Sequence, residues 1–382
     1  MSKQILILGA GPGGLATANL LRKKLPSQHK IFLIDKKQKQ SLGLTYLQVM
    51  FGWRKPQQVV RDISSVSRKN IIFFNSEIKK IDLANQKVVF DSQQLSYDYL
   101  VISLGATLSL EEIPGLSTSH YFYDLDPAER LHSVLKNFKG GKISLVIARP
   151  PYKCPAAPHE AALLLDWYFK QKKIRNNVDI KIFTPELQPM PTGGPVLGEK
   201  IKQLLQERNV EFKPNFKLTQ VDNDNHKLFF ENGETAEYDL LISIPVHKAP
   251  QVVKEANLIS ETGWISVDKY NLKTNYPNVY AIGDVASIKL PNGAFLPKAA
   301  VFALSQAEVV VNEIASDITS SKKAKPFNGK GYCYLQTEPK KSAAAIGNFY
   351  AEPNPQVRLQ KPSSAGFKGK LKFEKDFYYK WF

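Results

Sequence analysis

Sulfur, long apolar runs and acidic side chains are all scarce in this chain. Only two cysteines, Cys154 and Cys333, occur in 382 residues. They form no CxxC pair and no zinc spacing, which argues against a disulfide framework and a structural metal site. In a reducing compartment a structural disulfide is unusual, so a redox role would be the more informative reading of the pair. No apolar run approaches the roughly 18 residues that a membrane span needs. The longest, around 161–165 and 309–311, are short and flanked by polar residues. The N-terminus does not read as an export signal either, because Met1 leads almost at once into a strand, Ile5–Leu8, that the fold needs. A location on the cytoplasmic side is the expectation. Acidic residues number 35 against 52 basic ones, a net charge of +17. The excess is uneven: residues 318–382 hold 13 Lys/Arg and 4 Asp/Glu, a net of +9. Such a tail suits an anionic surface, and it equally suits plain solvation.

What is present is an alternation of buried strands and amphipathic helices. At 382 residues and 43% hydrophobic, the chain can form two or three domains. Ile5–Leu8, a helical pattern to Leu25 and Ile31–Ile34 make a βαβ unit. Further strands are expected at Ile71–Phe74, Val88–Phe90 and Tyr99–Ser103, with turns at Asn85-Gln86 and Asp91-Ser92. A second α/β unit has strands at Ile143–Ile147, Val178–Phe183 and Leu240–Ile244. Its helices are expected at Glu129–Phe138, Glu160–Lys170 and Glu199–Arg208. The chain then returns to a strand, Val279–Ile282, and a long helix, Ala299–Ala315. The expected fold class is α/β, with two Rossmann-like dinucleotide-binding domains and a small C-terminal α+β region. The first Rossmann-like domain is expected to be discontinuous, 1–114 with 245–316. The second Rossmann-like domain is 115–244, and the C-terminal region is 317–382.

Gly9, Gly11 and Gly14 have the G-x-G-x-x-G spacing, with Gly13 inside it. The first allows a tight turn, the second lets backbone approach a pyrophosphate, and the third lets helix and strand pack closely. Asp35 follows at the end of the next strand, where a carboxylate can take ribose hydroxyls, and Lys36 stands beside it. A lone glycine motif is weak, but two more segments follow in order. Thr274-Asn275-Tyr276-Pro277-Asn278-Val279-Tyr280-Ala281-Ile282-Gly283-Asp284 resembles the second FAD motif of glutathione-reductase-like flavoproteins. Tyr97–Ala106, with Gly105 and Ala106, resembles the strand-and-glycine motif between their two domains. The resemblance implies FAD, with Asp284 at the ribityl chain.

The second unit has no matching fingerprint. Between Ile147 and Glu160 there is no glycine, and prolines 150, 151, 155 and 158 remove backbone donors. A nicotinamide cradle is therefore not expected. Cys154 stands there instead. Pro151–Glu160 resembles the Cys-Pro-x-x-Pro-x-Glu segment of sulfide:quinone oxidoreductases and of the flavoprotein subunit of flavocytochrome c sulfide dehydrogenase. Cys333, in Gly331-Tyr332-Cys333-Tyr334, lies near that family's other redox cysteine, and Lys298 falls in its Pro-Lys-Ala segment. The resemblance spans essentially the whole chain. It implies an FAD enzyme that oxidises sulfide to sulfane sulfur through the cysteine pair and passes two electrons to membrane quinone. Glu160 and His159 are then proton-carrying candidates, and Lys298 is a cation that could lower a thiol pKa. Many quinone-reducing members carry a third cysteine, and Ser117–Leu131 has none, which leaves the sulfur substrate and acceptor open.

The tail Lys372–Phe382 looks like the C-terminal segment of the quinone-reducing branch. Phe373, Phe377 and Trp381 recur every fourth residue and fall on one helical face. Lys368, Lys370, Lys372, Lys375 and Lys380 add charge, so a peripheral contact with an anionic membrane is expected, with core packing as the competing reading. The loop Tyr46–Trp53 and Phe349 are candidates for a quinone slot. Three alternatives stay open: an electron-transfer flavoprotein feeding a cytochrome or other protein, a type II NADH dehydrogenase, and a basic flavoprotein that binds nucleic acid. No nucleic-acid module is visible, and homo-oligomerisation is left open.

Overall fold

The apolar run Gln4–Leu8 has no side chain that must reach water, so it can be buried on both faces as a central parallel strand. The computed structural model describes residues 2–91, 93–321 and 325–382, so Ser92 of the expected Asp91-Ser92 turn lies outside the described residues. Strand β1 (Gln4–Leu8) turns into helix α1 (Pro12–Lys24) and returns as β2 (Lys30–Asp35). The loop Tyr46–Trp53 contains a one-turn helix, α2 (Tyr46–Met50). Strands β3 (Ile72–Asn75) and β4 (Tyr99–Ile102) follow. The second unit comprises α3 (Leu125–Asn137), β5 (Gly141–Ile147), α4 (Ala157–Gln171), β6 (Val178–Phe183), α5 (Pro195–Gln206), β7 (Val210–Lys213) and β8 (Leu240–Ile244). After α6 (Gln251–Glu255) the chain re-enters the first sheet as β9 (Val279–Ala281) and runs along α7 (Ala300–Thr319). An antiparallel meander, β10 (Lys330–Glu338), β11 (Lys341–Asn348) and β12 (Gln356–Leu359), leads to helix α8 (Ser364–Trp381).

The first sheet is parallel throughout, in the order β9-β4-β1-β2-β3. Its two faces bury alternate residues: Ile5 and Ile7 join the cluster under α1 and α7, and Leu6 and Leu8 join the opposite cluster. The second sheet, β7-β6-β5-β8, is also parallel. The helices of the second unit begin earlier than periodicity predicts, because proline is accepted in a first turn, where its missing N–H costs nothing. Helix α7 runs on to Thr319, past the Ala315 end expected from the sequence.

The C-terminal helix differs from expectation in the direction of its face. Phe377 is 1% exposed and Trp381 8%, and both join the main core. Asn19 donates to Trp381 O at 3.0 Å, and Tyr378 donates its hydroxyl to Val59 O at 2.6 Å. Burying Phe377 alone is worth about 1.5–3 kcal/mol, enough to hold this face on the protein. The aromatic stripe is therefore core, and the face left outside carries Lys368, Leu371, Lys372, Lys375 and Tyr379.

Candidate active site

Carboxyl ends of parallel strands leave a crevice that ligands can enter. Gly9 follows β1, Ser103 follows β4, and Gly283 lies just past β9, so three neighbouring strand ends open one cleft. The cleft, together with the open solvent at its mouth, spans about 1390 Å³ of empty space. The turn after β1 explains its glycines. Gly9 has φ +94, and a Cβ there would stand 2.3 Å from Ser103 O. A Cβ on Gly14 would stand 1.8 Å from Gly9 O, so helix and turn touch there. Gly11 is the opposite case: a Cβ would meet nothing within 4 Å. It is also the N-cap of α1, with no side-chain cap. Open space and free N–H groups at a helix N-terminus are what a pyrophosphate requires, so these residues fit FAD.

The other dinucleotide candidates divide. Asp35 ties the end of β2 to the glycine turn, accepting from Ala10 N at 2.6 Å and Lys37 N at 2.7 Å. Gly13 and Gly105 line the cleft, and Ala106 follows Gly105 in the chain. Lys36 instead extends toward Glu77, 3.8 Å away. The Gly283 N–H donates to Gln306 Oε1 at 2.7 Å, fixing the turn that presents Asp284. Among the described residues no hydrogen bond reaches the Asp284 carboxylate, and burial raises its pKa. An unengaged carboxylate in the cleft fits a polyhydroxyl chain. Lys298 is buried beneath it, donating to Asp284 O at 2.5 Å and Ala286 O at 3.3 Å, with Nζ 3.4 Å from the Trp264 ring centre. Burial lowers its pKa to about 7.

Both cysteines reach this cleft and both are free thiols. Cys154 is held by its N–H donating to Lys298 O at 2.7 Å and lies at φ +53, a left-handed turn that costs a non-glycine residue about 1–3 kcal/mol. That turn leaves the residue open to the cleft. Cys333 sits on β10 in register with Ala345 and is half-buried. A second, smaller cavity is also lined by both cysteines, with Met190, Phe302, Phe349 and Val357. Phe349 packs edge-on against Phe302 there, so it stands on the sulfur side rather than in a slot with Tyr46. Tyr46 and Leu47 do line the main cleft, opposite Tyr332 and Phe373, whereas Met50 and Phe51 are core.

The charges around Cys154 differ from expectation. Lys298 was the cation expected beside a low-pKa thiol. Instead, although the residue opens to the cleft, desolvation by the protein packed around it pushes the Cys154 thiol up to about 12, Glu160 adds to the rise, and the cation that opposes it is Lys370. Burial also pushes Cys333 to about 12. Glu160 lies in the first turn of α4, and its carboxylate forms a buried ion pair with Lys370 of α8, which also donates to Gln336 Oε1 of β10 at 3.0 Å. Burial raises the Glu160 pKa and Lys370 holds it back. Lys370, expected at the surface, is 2% exposed. A signal for it existed: Lys370, Glu374, Phe377 and Trp381 share one face at 3.6-residue periodicity, so two charges interrupt the apolar stripe. His159 is fully buried against Phe212, and among the described residues neither ring nitrogen has a hydrogen-bond partner. Burial lowers its pKa to about 3, so the ring is neutral near pH 7. Sequence reasoning also missed Tyr123, which lines the cleft with Cys154, and the hydroxyl of Tyr152, which donates to Glu186 at 2.9 Å. Among the described residues no group of three metal-ligating side chains gathers, and no helix is long and apolar enough to cross a membrane.

Comparison with known proteins finds a family and similar chains. The family model described as pyridine nucleotide-disulphide oxidoreductase matches residues 3–307. A mitochondrial sulfide:quinone oxidoreductase from Mus musculus is 25% identical over 369 residues, covering 92% of this chain and 79% of the relative. A sulfide-quinone reductase from Aquifex aeolicus is 27% identical over 343 residues, covering 84% and 78%. The crystal structure of the Aquifex aeolicus sulfide:quinone oxidoreductase superposes with a TM-score of 0.88 at 24% identity, covering 99% of this chain and 91% of that one.

Proposed function

The chain belongs to the pyridine nucleotide-disulphide oxidoreductase family, and on that premise we propose that it is an FAD-dependent enzyme that oxidises sulfide and reduces quinone. The observation that carries this reading is the sharing of one cleft by both cysteines, the glycine turn, Asp284 and Lys298. The overall change takes two electrons from the sulfide sulfur and gives them, with two protons, to quinone. On the sulfur side, hydrosulfide attacks a sulfur of the oxidised cysteine pair. One S–S bond forms as another breaks, leaving a persulfide on one cysteine and a thiolate on the other. FAD, when bound, supplies the two-electron acceptor between this pair and quinone, held by the Gly9–Gly14 turn, Asp35 and Asp284 with Lys298 below. The left-handed turn at Cys154 keeps its sulfur toward the cleft. Lys370 opposes the rise that burial imposes on the Glu160 pKa and ties β10, and with it Cys333, to α4. Tyr332 and Phe373, packed edge-on at 5.9 Å, both line the cleft and offer it aromatic surface against which a quinone ring can rest.

A peripheral membrane contact on the cytoplasmic side belongs to the same reading. Its support is the outward face of α8, where Tyr379 is 86% exposed and Leu371 40%, among Lys368, Lys372 and Lys375. The inward turn of Phe377 and Trp381 favours a second reading, in which an acidic protein takes the electrons at this basic face. Anaerobic stopped-flow absorbance tests both. Sulfide should bleach the flavin band, and a soluble quinone should restore it. Bleaching without recovery on quinone would favour the protein acceptor. No response to sulfide would overturn the sulfur chemistry.

A further inference from the structure

The proline-rich loop of the second unit sends two neighbouring side chains into the same cleft. Cys154 lines both the cleft and the smaller cavity, whereas Lys153 lines the cleft alone. Backbone pairing holds the loop there. Lys153 forms a parallel bridge with Lys298, and the Cys154 N–H donates to Lys298 O at 2.7 Å. Lys298 in turn donates its Nζ to Asp284 O, in the turn after β9. A residue of the second unit is thus fixed beside the strand ends of the first.

The charge that Lys153 brings has no partner. An ammonium carries three N–H donors. Among the described residues its Nζ makes no hydrogen bond and no ion pair, and it stands 6.0 Å from the Tyr123 ring centre, the outer limit of a cation–π contact. The other two cations that line the cleft are engaged: Lys370 pairs with Glu160, and Lys298 donates to two backbone carbonyls. Lys153 is half-buried, and an ammonium removed from water without an acceptor is costly. The Asp284 carboxylate lines the same cleft, equally without a hydrogen bond among the described residues, and the two do not meet. Opposite charges that face one cleft without pairing leave room for a group between them.

A flavin changes charge as it works. The oxidised ring is neutral, and taking up two electrons with one proton leaves it one negative charge near neutral pH. The proposed function puts that ring within reach of Cys154. Lys153 is the adjacent residue of the same loop and enters the same cleft, so its ammonium is within reach of the ring as well. Resting on that reading for the place of the ring, we infer that Lys153 tunes the flavin: its ammonium stabilises the reduced, anionic ring and raises the reduction potential. The loop that lacks a nicotinamide cradle then supplies both the sulfur that gives up the electrons and the charge that favours their arrival. A lysine that bound the FAD phosphates would act differently, because phosphate charge is the same in both redox forms and the potential would not move.

The test is the two-electron midpoint potential of the purified holoprotein, measured by anaerobic reduction in equilibrium with a reference dye, which needs neither sulfide nor quinone. Lys153→Met keeps the stem and removes the charge, Lys153→Gln does so with a polar end, and Lys153→Arg keeps the charge. Flavin content and melting temperature check the folding of each. A full charge beside the ring, discounted for the open mouth, shifts the reduction equilibrium at least about tenfold. For a two-electron couple that is about 30 mV. Both neutral variants should lie lower by this amount, and Lys153→Arg should stay close to wild type. Binding gives a second readout: by linkage the same tenfold loss must appear in the affinity for reduced FAD, with oxidised FAD held as in wild type. Should one neutral variant fail to fold, the other carries the comparison. Equal potentials overturn the inference, and so does equal weakening of both redox forms, which would put Lys153 on the phosphates. A wild-type flavin that sulfide does not bleach overturns the sulfur chemistry instead, and the potentials still decide on Lys153.

Discussion

The two parallel units place their first βα turn at the same point and fill it with opposite chemistry. In the first, β1 reaches α1 across three residues, 9–11; in the second, β5 reaches α4 across nine, 148–156. The short turn is closed by glycines whose absent side chains let backbone touch backbone, and α1 has no acidic residue in its first turn. Its positive end stays free for phosphate. The long turn is stiffened by proline and carries Cys154 outward at φ +53, and α4 has Glu160 in its first turn. A buried carboxylate already occupies the end where a second dinucleotide would put its phosphates. The strand-end crevice is thus a position that the fold supplies twice, and on the proposed function the loop decides whether it takes a cofactor or a sulfur atom.

Removing the sulfur should have the largest effect. Cys154→Ser should slow sulfide-driven bleaching by at least about three orders of magnitude, the scale on which loss of a covalent nucleophile acts. FAD content should stay normal, because the glycine turn is untouched. Bleaching at the wild-type rate would separate Cys154 from the chemistry. The matching change in the first loop should fail differently. In Gly14→Ala the new Cβ must displace the backbone oxygen 1.8 Å away, so we expect a loss above about 4 kcal/mol in urea unfolding together with loss of flavin. Gly11→Ala, where the Cβ meets open space, should fold normally and show weaker flavin retention only.

How much of this was legible in sequence follows from the range of each interaction. The glycine turn, Asp35, the Gly283-Asp284 turn and the two sheets are set by local spacing and by period-2 burial, so they could be read directly. The Pro-rich loop could be read as the absence of a cradle. The partners across long separations could not. Glu160 and Lys370 are 210 residues apart, and Tyr152 meets Glu186 across 34. Lys370 looked like one more lysine in a basic tail, because charge composition carries no information about which lysine faces inward. The low-pKa thiol was misjudged for the same reason. Its environment depends on burial and on Glu160, and a lysine count reveals neither.

The pair that closes the second loop gives a smaller effect with a definite pH sign. Lys370→Ala should cost about 3–5 kcal/mol, because it leaves the Glu160 carboxylate buried without its cation. Burial holds the Glu160 pKa above its unfolded value, so the folded state binds the extra proton and stability falls as pH rises through that range. Without Lys370 the pKa rises further, so the loss measured by urea unfolding should shrink as pH is lowered. Joining Lys370→Met with Glu160→Gln should recover most of the stability. A loss that does not change with pH would mean that the lysine acts through packing alone.

The smallest expected effect is none at all, and it tests the comparison most directly. If the second turn has given up its cradle, NADH and NADPH should leave the flavin band unchanged under anaerobic conditions, at concentrations where sulfide bleaches it. The physical ground is specific. Pro150, Pro151 and Pro155 offer no backbone N–H, the Cys154 N–H is spent on Lys298 O, and the Ala157 N–H on Cys154 O. Those are the donors a pyrophosphate would need, and Glu160 adds repulsion at the helix end. Slow bleaching that E160Q accelerates would show that the crevice still admits a dinucleotide and that one carboxylate keeps it out. Fast bleaching in the wild type would mean that the donors come from elsewhere in the second sheet, and the two turns would then differ in sequence without differing in role.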